Sequence, residues 1–240
     1  MESRHPALPP ERPLMIAHRA GNSVALAEGA ITAGADLIEA DVWRFRERLE
    51  IRHVKTMGLI PLLWDRWELH PGWGPRLQLA GLVRAIPVDR RLFLDLKGDD
   101  PKLGTEIIET MRDLQPARQI IVCGRTWRQL DRIADHPGVT VFYSVGRDEE
   151  LACVWERLKT MRHPAVSINC RFLTPELMRR FRDIGATVVS WTINTIEDAR
   201  RFHEMGVDGF TTDNLGLIQR MSQLREQAFD DVTTPVSRTG

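Results

Sequence analysis

Long apolar runs are missing from this 240-residue chain. No stretch approaches the ~18 consecutive apolar residues of a membrane-spanning helix. A surplus of either charge is missing too. Thirty-three basic residues balance thirty-three acidic ones, so the electrostatic footprint of a nucleic-acid binder is absent. Cysteine is scarce: Cys123, Cys153 and Cys170 are odd in number and lie in or beside apolar segments. That argues against a disulfide framework and for buried free thiols in a reducing compartment, the cytoplasm. Residues 1–13 are polar and proline-rich, with no apolar core of the kind a signal peptide needs, and read as a flexible N-terminal segment. Residues 230–240 lack apolar periodicity and read as a disordered tail. Between them, 14–229 has the composition of one globular domain, in a chain with 42% apolar and 28% charged residues overall.

Within that domain the apolar residues fall into eight strand-like runs. They are Leu14–Ala17, Leu37–Trp43, Leu92–Leu96, Ile120–Cys123, Val139–Val145, Ala165–Asn169, Thr187–Ile193 and Gly209–Thr212. Most are separated by amphipathic helical patterns with readable ends. Thr174-Pro175-Glu176 supplies an N-cap, a proline at the first helical position and an acid in the first turn; Leu177, Phe181 and Ile184 follow at helical spacing. Thr195 opens a similar helix. Three joints repeat: Gly34-Ala35-Asp36, Gly185-Ala186-Thr187 and Gly206-Val207-Asp208. In each, glycine supplies a left-handed cap and the next strand starts at once. Continuous apolar strands alternating with helices imply a parallel sheet covered by helices. Eight such units in about 250 residues match a single-domain (β/α)8 TIM barrel, with a doubly wound open sheet as the alternative. The segment between Asp41 and Leu92 breaks the rhythm. It holds a short strand over 49–54 and then Trp64, Trp67 and Trp73 among prolines and glycines, and reads as a loop excursion over the barrel mouth.

Charge accumulates where these strands end. Glu39 and Asp41 lie two residues apart, as do Asp95 and Lys97, a spacing that puts both side chains on one face of a strand. Glu39, Asp41 and Asp95 in one barrel mouth would repel one another unless a cation sat between them. All-oxygen ligation suits Mg2+ or Ca2+ rather than zinc. His18 and His53 would flank the ion as one general base and one general acid. Arg19 and Lys97 are donors without acceptors, suited to phosphate oxygens. The bland readings are surface charges on an edge strand for Glu39 and Asp41, and a plain ion pair for Asp95 and Lys97.

The run His18-Arg19-Ala20, then Asn22-Ser23, then Gly34 to Val42 resembles the opening of the glycerophosphodiester phosphodiesterases. His53 is similar to the histidine of that family's His-Asp motif, and Leu94-Asp95-Leu96-Lys97 to its Ile-Glu-Ile-Lys. Val189 to Asn194 and Gly206 to Asp213 resemble its two C-terminal segments, so the likeness runs in order along nearly the whole chain. The resemblance implies a TIM barrel with Glu39, Asp41 and Asp95 on a divalent metal and His18 and His53 as the acid/base pair. It places Arg19 and Lys97 on the phosphate and Trp191 in the wall of the substrate pocket. The implied reaction is cleavage of a small-molecule glycerophosphodiester to an alcohol and glycerol 3-phosphate.

The chain departs from the family pattern at four places. Ala20 replaces a glycine, Gly21 stands where a glutamate is usual, Val54 replaces an aspartate and Asp95 is one methylene shorter than the usual glutamate. The aspartate resembles sphingomyelinase D-like phospholipases. A phospholipase D-like cleavage of lysophospholipids, with the three tryptophans as an apolar lip, would use the same core. A barrel that only binds phosphorylated ligands is the non-enzymatic alternative.

Overall fold

A computed structural model of the chain describes residues 13–53, 55–56, 62–65, 68–71 and 76–233, with side chains over 13–53 and 76–224. Eight parallel strands close on themselves: β1 (Leu14–Ala17), β2 (Leu37–Phe45), then, after an excursion holding β3 to β6, β7 (Arg91–Leu96), β8 (Ile120–Gly124), β9 (Val139–Val145), β10 (Ala165–Asn169), β11 (Thr187–Trp191) and β12 (Gly209–Thr212). Each pairs with its neighbour, and β1 pairs with both β12 and β2, which seals the barrel. Helices α1 (Val24–Thr32), α2 (Leu79–Ala85), α3 (Leu103–Leu114), α4 (Trp127–Asp131), α5 (Asp148–Thr160), α6 (Pro175–Asp183), α7 (Ile196–Glu204) and α8 (Leu215–Thr233) intervene between strands and follow the last one. The (β/α)8 expectation holds. The strands match the apolar runs, with β2 extending to Phe45 and β11 ending at Trp191.

The joints read from sequence behave as expected. Gly34, Gly185 and Gly206 take φ of 87°, 66° and 91°, the left-handed region that only glycine enters without strain. The aspartates that follow have a second use. Asp36 accepts the backbone N–H of Met15 and Asp208 that of Val188, both at 2.8 Å, so the Gly34 and Gly206 joints also tie down the neighbouring strand. Thr174 and Thr195 cap α6 and α7 through their hydroxyls, each accepting a backbone N–H at 3.1 Å.

Burial divides the core into two layers. Outward-facing strand residues pack against the helices in one large cluster. Inward-facing residues fill the lower barrel: Leu14, Ile16, Leu37, Phe93, Ile121, Phe142, Ala165 and Val189, with Phe93 and Phe142 in edge-to-face contact at 5.3 Å. Beneath α2, the buried Arg118 donates to the carbonyls of Val83, Ile86, Pro87 and Arg90 and satisfies the end of that helix and the turn after it.

The excursion after β2 carries more order than a loop. Arg46 and Glu47 take positive φ (47° and 61°) and turn β2 back into the antiparallel strand β3 (Arg48–Ile51). A small antiparallel sheet follows: β4 (Lys55–Thr56), β5 (Leu62–Asp65) and β6 (Glu68–Pro71). Val54, Trp67 and Trp73 lie outside the described residues, as does the side chain of Trp64, so the lip expectation falls outside them too. Helix α8 continues past Phe229 to Thr233. Residues 1–12 and 234–240 are outside the described residues. Cys153 corrects the thiol expectation. It lies exposed on α5, one position off the buried Val154, whereas Cys123 is buried and Cys170 half-buried; all three are free.

Candidate active site

The inward alternation that fills the lower barrel with apolar side chains changes chemistry as each strand climbs. On β1, Leu14 and Ile16 give way to His18; on β2, Leu37 to Glu39 and Asp41; on β7, Phe93 to Asp95 and then Lys97. On β8, Ile121 leads through Cys123 to Arg125; on β9, Phe142 to Ser144; on β11, Val189 to Trp191. A period of two therefore places a polar ring at the C-terminal mouth, the end where barrel enzymes carry their sites. A cavity of about 390 Å3 opens there, lined by His18, Arg19, Glu39, Asp95, Lys97 and Trp191 among others.

Strand register brings the carboxylates together. Asp41 stands directly across from Asp95 in the β2–β7 ladder, and one oxygen from each of Glu39, Asp41 and Asp95 lies within 4.8 Å of the others. Burial, then the charges of Asp41 and Asp95, push the Glu39 carboxyl well above the usual carboxylate range. Burial also raises Asp95, against the pull of Lys97. Burial works on Asp41 in the same direction but is outweighed by hydrogen bonds from His53, Lys97 and Asn22 together with the Lys97 charge, which hold its carboxyl below the ordinary value. Lys97 places its ammonium 2.8 Å from Asp41 Oδ1 and also contacts Asp95. Burial alone would lower it, yet the three carboxylates hold it above its usual value. The donor set is oxygen-only, crowded and mutually repelled, which fits a hard divalent cation.

The chain after β1 is bent to serve these acids. Arg19 takes a left-handed conformation (φ 55°) and turns its backbone N–H onto Glu39 Oε2. The next residues form a short 3-10 turn, Ala20–Asn22, laid against β2. A Cβ on Gly21 would sit 2.6 Å from Ala40 Cβ, so a larger residue there would force the turn off the strand. That close approach lets Asn22 grip Asp41 twice, donating from Nδ2 to Oδ2 (2.7 Å) and accepting the Asp41 backbone N–H (2.9 Å). The Arg19 Nε is left buried with no hydrogen-bond partner among the described residues.

The two histidines approach from different directions. His18 follows β1, and its Nδ1 bonds Asp213 Oδ1 at 2.6 Å. Burial lowers its pKa, while the Asp213 charge and hydrogen bond work against that. With Nδ1–H given to the carboxylate, Nε2 is the acceptor nitrogen. His53 arrives on the β3 hairpin and reaches Asp41 Oδ2 with Nδ1 at 3.2 Å. It does not line the cavity itself. The hairpin base is held by buried Glu50, which pairs with Arg52 (2.9 Å) and Arg76 (2.6 Å), and by the Arg52 guanidinium over the Trp43 ring at 4.8 Å.

Of the residues singled out from sequence, His18, Arg19, Glu39, Asp95, Lys97 and Trp191 meet in one cavity, with Asp41 buried beside them and His53 bonded to Asp41. The Asp95–Lys97 ion pair of the bland reading is also real, but it sits in the cavity wall. Sequence reasoning passed over Asp213, Asn22 and Arg125. Asp213 directly follows β12, the strand that closes onto β1; its place at the end of the family-like segment Gly206 to Asp213 and this circular adjacency are the signals that could have found it.

Comparison with known proteins adds the next step. The model of the glycerophosphoryl diester phosphodiesterase family matches residues 98–217. The chain belongs to that family. Membership makes it a phosphoric diester hydrolase by class. The matched segment contains Trp191 and Asp213, while the three carboxylates and both histidines precede it. Solved structures agree in fold. A phosphodiesterase from Oleispira antarctica, solved with the product sn-glycerol-3-phosphate, has TM-score 0.72 at 19% identity, over 88% of this chain and 97% of that one. A glycerophosphodiester phosphodiesterase from Thermotoga maritima has TM-score 0.69 at 18% identity, over 90% and 100%. One from Parabacteroides distasonis has TM-score 0.68 at 20% identity, over 91% and 98%. No curated protein matches the sequence. Among the described residues, no helix is long and apolar enough to cross a membrane.

Proposed function

We propose that the chain hydrolyses a glycerophosphodiester to an alcohol and glycerol 3-phosphate, using a divalent cation and a pair of histidines. The observation that carries the proposal is a three-carboxylate cluster, two of whose members line the cavity, beside an arginine whose buried Nε has no partner among the described residues. A divalent cation answers the carboxylates, and a phosphodiester's anionic oxygens accept from Arg19 and from Lys97. Glu39, Asp41 and Asp95 would hold Mg2+ or Ca2+, which supplies charge stabilisation at phosphorus.

The protein's own groups do the rest. His18 is held neutral by burial and oriented by Asp213, and it faces the cavity with a free acceptor nitrogen; it takes the proton from the attacking oxygen nucleophile. His53, seated on Asp41 at the other flank, returns a proton to the departing alcohol as its oxygen–phosphorus bond breaks. Arg19 and Lys97 aim donors at oxygens that gain charge in the transition state. Trp191 walls the substrate's alcohol side.

The test strips the protein with a chelator and assays glycerophosphoethanolamine and lysophosphatidylcholine with Mg2+ or Ca2+ restored, alongside His18→Ala. The expected result is metal-restored release of glycerol 3-phosphate and a loss of about 100-fold or more in the variant. Metal-independent turnover, or full activity of the variant, refutes the mechanism. Turnover of lysophosphatidylcholine alone would indicate the phospholipase reaction, and phosphate-ligand binding without turnover the binding-only barrel.

A further inference from the structure

The wall of the cavity from β8, beside Asp95, round to β11 presents Cys123, Ser144, Ser167, Trp191 and Thr192, with Arg125 as its one charged residue among the described residues. Burial raises the Cys123 thiol well above its ordinary value and keeps it neutral. Arg125 follows the end of β8, two positions beyond Cys123 on the inward series. Its Nε and Nη2 donate to Glu150 Oε1 at 3.2 and 2.7 Å. Glu150 is itself anchored, since its other oxygen accepts the Gly146 backbone N–H at 2.7 Å. The Gly146 carbonyl on the far side accepts from Arg171 at 2.9 Å. The carboxylate thus fixes one side of the guanidinium and leaves the Nη1 donors without a partner among the described residues. Gly146 keeps the spot open: a Cβ there would lie 3.0 Å from Trp191 Cη2 and 3.4 Å from Arg125 Cζ. Guanidinium and indole therefore converge over one glycine at the cavity mouth.

We infer that Arg125 is a specificity-determining residue selecting diesters whose alcohol arm carries a second anionic group, a carboxylate or a phosphate. The inference rests on the phosphodiesterase reading for the placing of the first anion. With the phosphodiester over Glu39, Asp95 and Lys97, the arm extends toward the β8–β11 wall and meets a preoriented fork whose open donors match planar or tetrahedral oxyanions. An indole face alone would suit a quaternary ammonium head group. The guanidinium beside it repels one.

Two matched pairs of probes read this directly. Glycerophosphoserine differs from glycerophosphoethanolamine by one carboxylate, and glycerophosphoinositol 4-phosphate from glycerophosphoinositol by one phosphate. The wild-type protein is expected to favour the more anionic member of at least one pair in kcat/KM, and which pair responds identifies the anion. In Arg125→Gln that ratio falls about tenfold, the scale of one charge-assisted hydrogen bond. Wild-type indifference to both pairs, preference for glycerophosphocholine, or a variant that slows both members alike with its ratio intact would overturn the inference. Calorimetric binding of O-phosphoserine against O-phosphoethanolamine separates this from failure of the hydrolase reading. A protein that turns over no diester is still expected to bind the carboxylate-bearing ligand more tightly, and to lose that margin in Arg125→Gln. Equal binding of the two by the wild type, together with no preference within either diester pair, overturns the inference.

Discussion

Replacing Asp213 with asparagine isolates the charge behind His18 while keeping the shape of the contact. Asparagine can still accept Nδ1–H through Oδ1, so the ring keeps its tautomer and direction. What disappears is the negative charge that supports the imidazolium once His18 has taken its proton. A charge-assisted hydrogen bond contributes about 1.5–3 kcal/mol and a neutral one about 0.5–1.5, a difference of about 1–2 kcal/mol. The Asp213 side chain is 53% exposed, so solvent screening argues for the lower end. About 1 kcal/mol is roughly a fivefold fall in kcat. The sign of the pH effect follows from the same contact. Burial lowers His18 and Asp213 opposes it, so removing the charge lowers the histidine further. A base must be neutral to act; activity is lost as pH falls through its pKa, and the acid limb of the kcat profile therefore moves to lower pH in Asp213→Asn. The assay is release of glycerol 3-phosphate across pH 4 to 9 in wild type, Asp213→Asn, His18→Ala and the double variant. An unmoved acid limb, or an Asp213→Asn loss equally large in the His18→Ala background, would refute the reasoning.

Two further expectations concern stability. Arg118→Met keeps the buried stem but strands the carbonyls of Ile86 and Arg90, while Val83 keeps Gln115 Nε2 and Pro87 keeps the Arg90 N–H; at about 1–3 kcal/mol per unsatisfied buried group with partial relaxation, urea denaturation should register a loss of about 3 kcal/mol. Gly34→Ala places a Cβ at φ 87° and 2.5 Å from Ser222 Oγ, so thermal unfolding should show a loss of about 1–2 kcal/mol. An unchanged midpoint in either case would contradict the contacts described.

The barrel was legible because its strands are apolar runs and its joints punctuate them. Gly34, Gly185 and Gly206 each mark the residue where a helix stops, and the inward alternation on β2 and β7 follows from the two-residue spacing of Glu39 with Asp41 and Asp95 with Lys97. The β2–β3 turn was less visible, because Arg46 and Glu47 occupy left-handed positions where Asn-Gly or Gly would have signalled a hairpin. Reading β2 only to Trp43 follows from that. His53 was found as a residue, but its bond to Asp41 depends on that turn. Asp213 escaped because its partner is 195 residues away in sequence, and only closure of the barrel brings the two together. Cys153 sits among apolar neighbours in sequence, yet helical geometry points Val154 and Leu158 inward instead.

Barrel closure has a consequence for when activity can exist. The backbone N–H of His18 bonds the carbonyl of Thr212, and the side chain of His18 leans on the residue after it. The ends of the first strand and the last thus carry the two halves of the proposed base. A chain emerging from the ribosome holds Glu39, Asp41, His53 and Asp95 early, but His18, the proposed base, stands unsupported until β12 docks. The order of synthesis makes the final strand a latch: a chain that stops before it carries Glu39, Asp41 and Asp95 but lacks the Asp213 carboxylate that orients His18. On the proposed mechanism, catalytic onset reports completion of the fold.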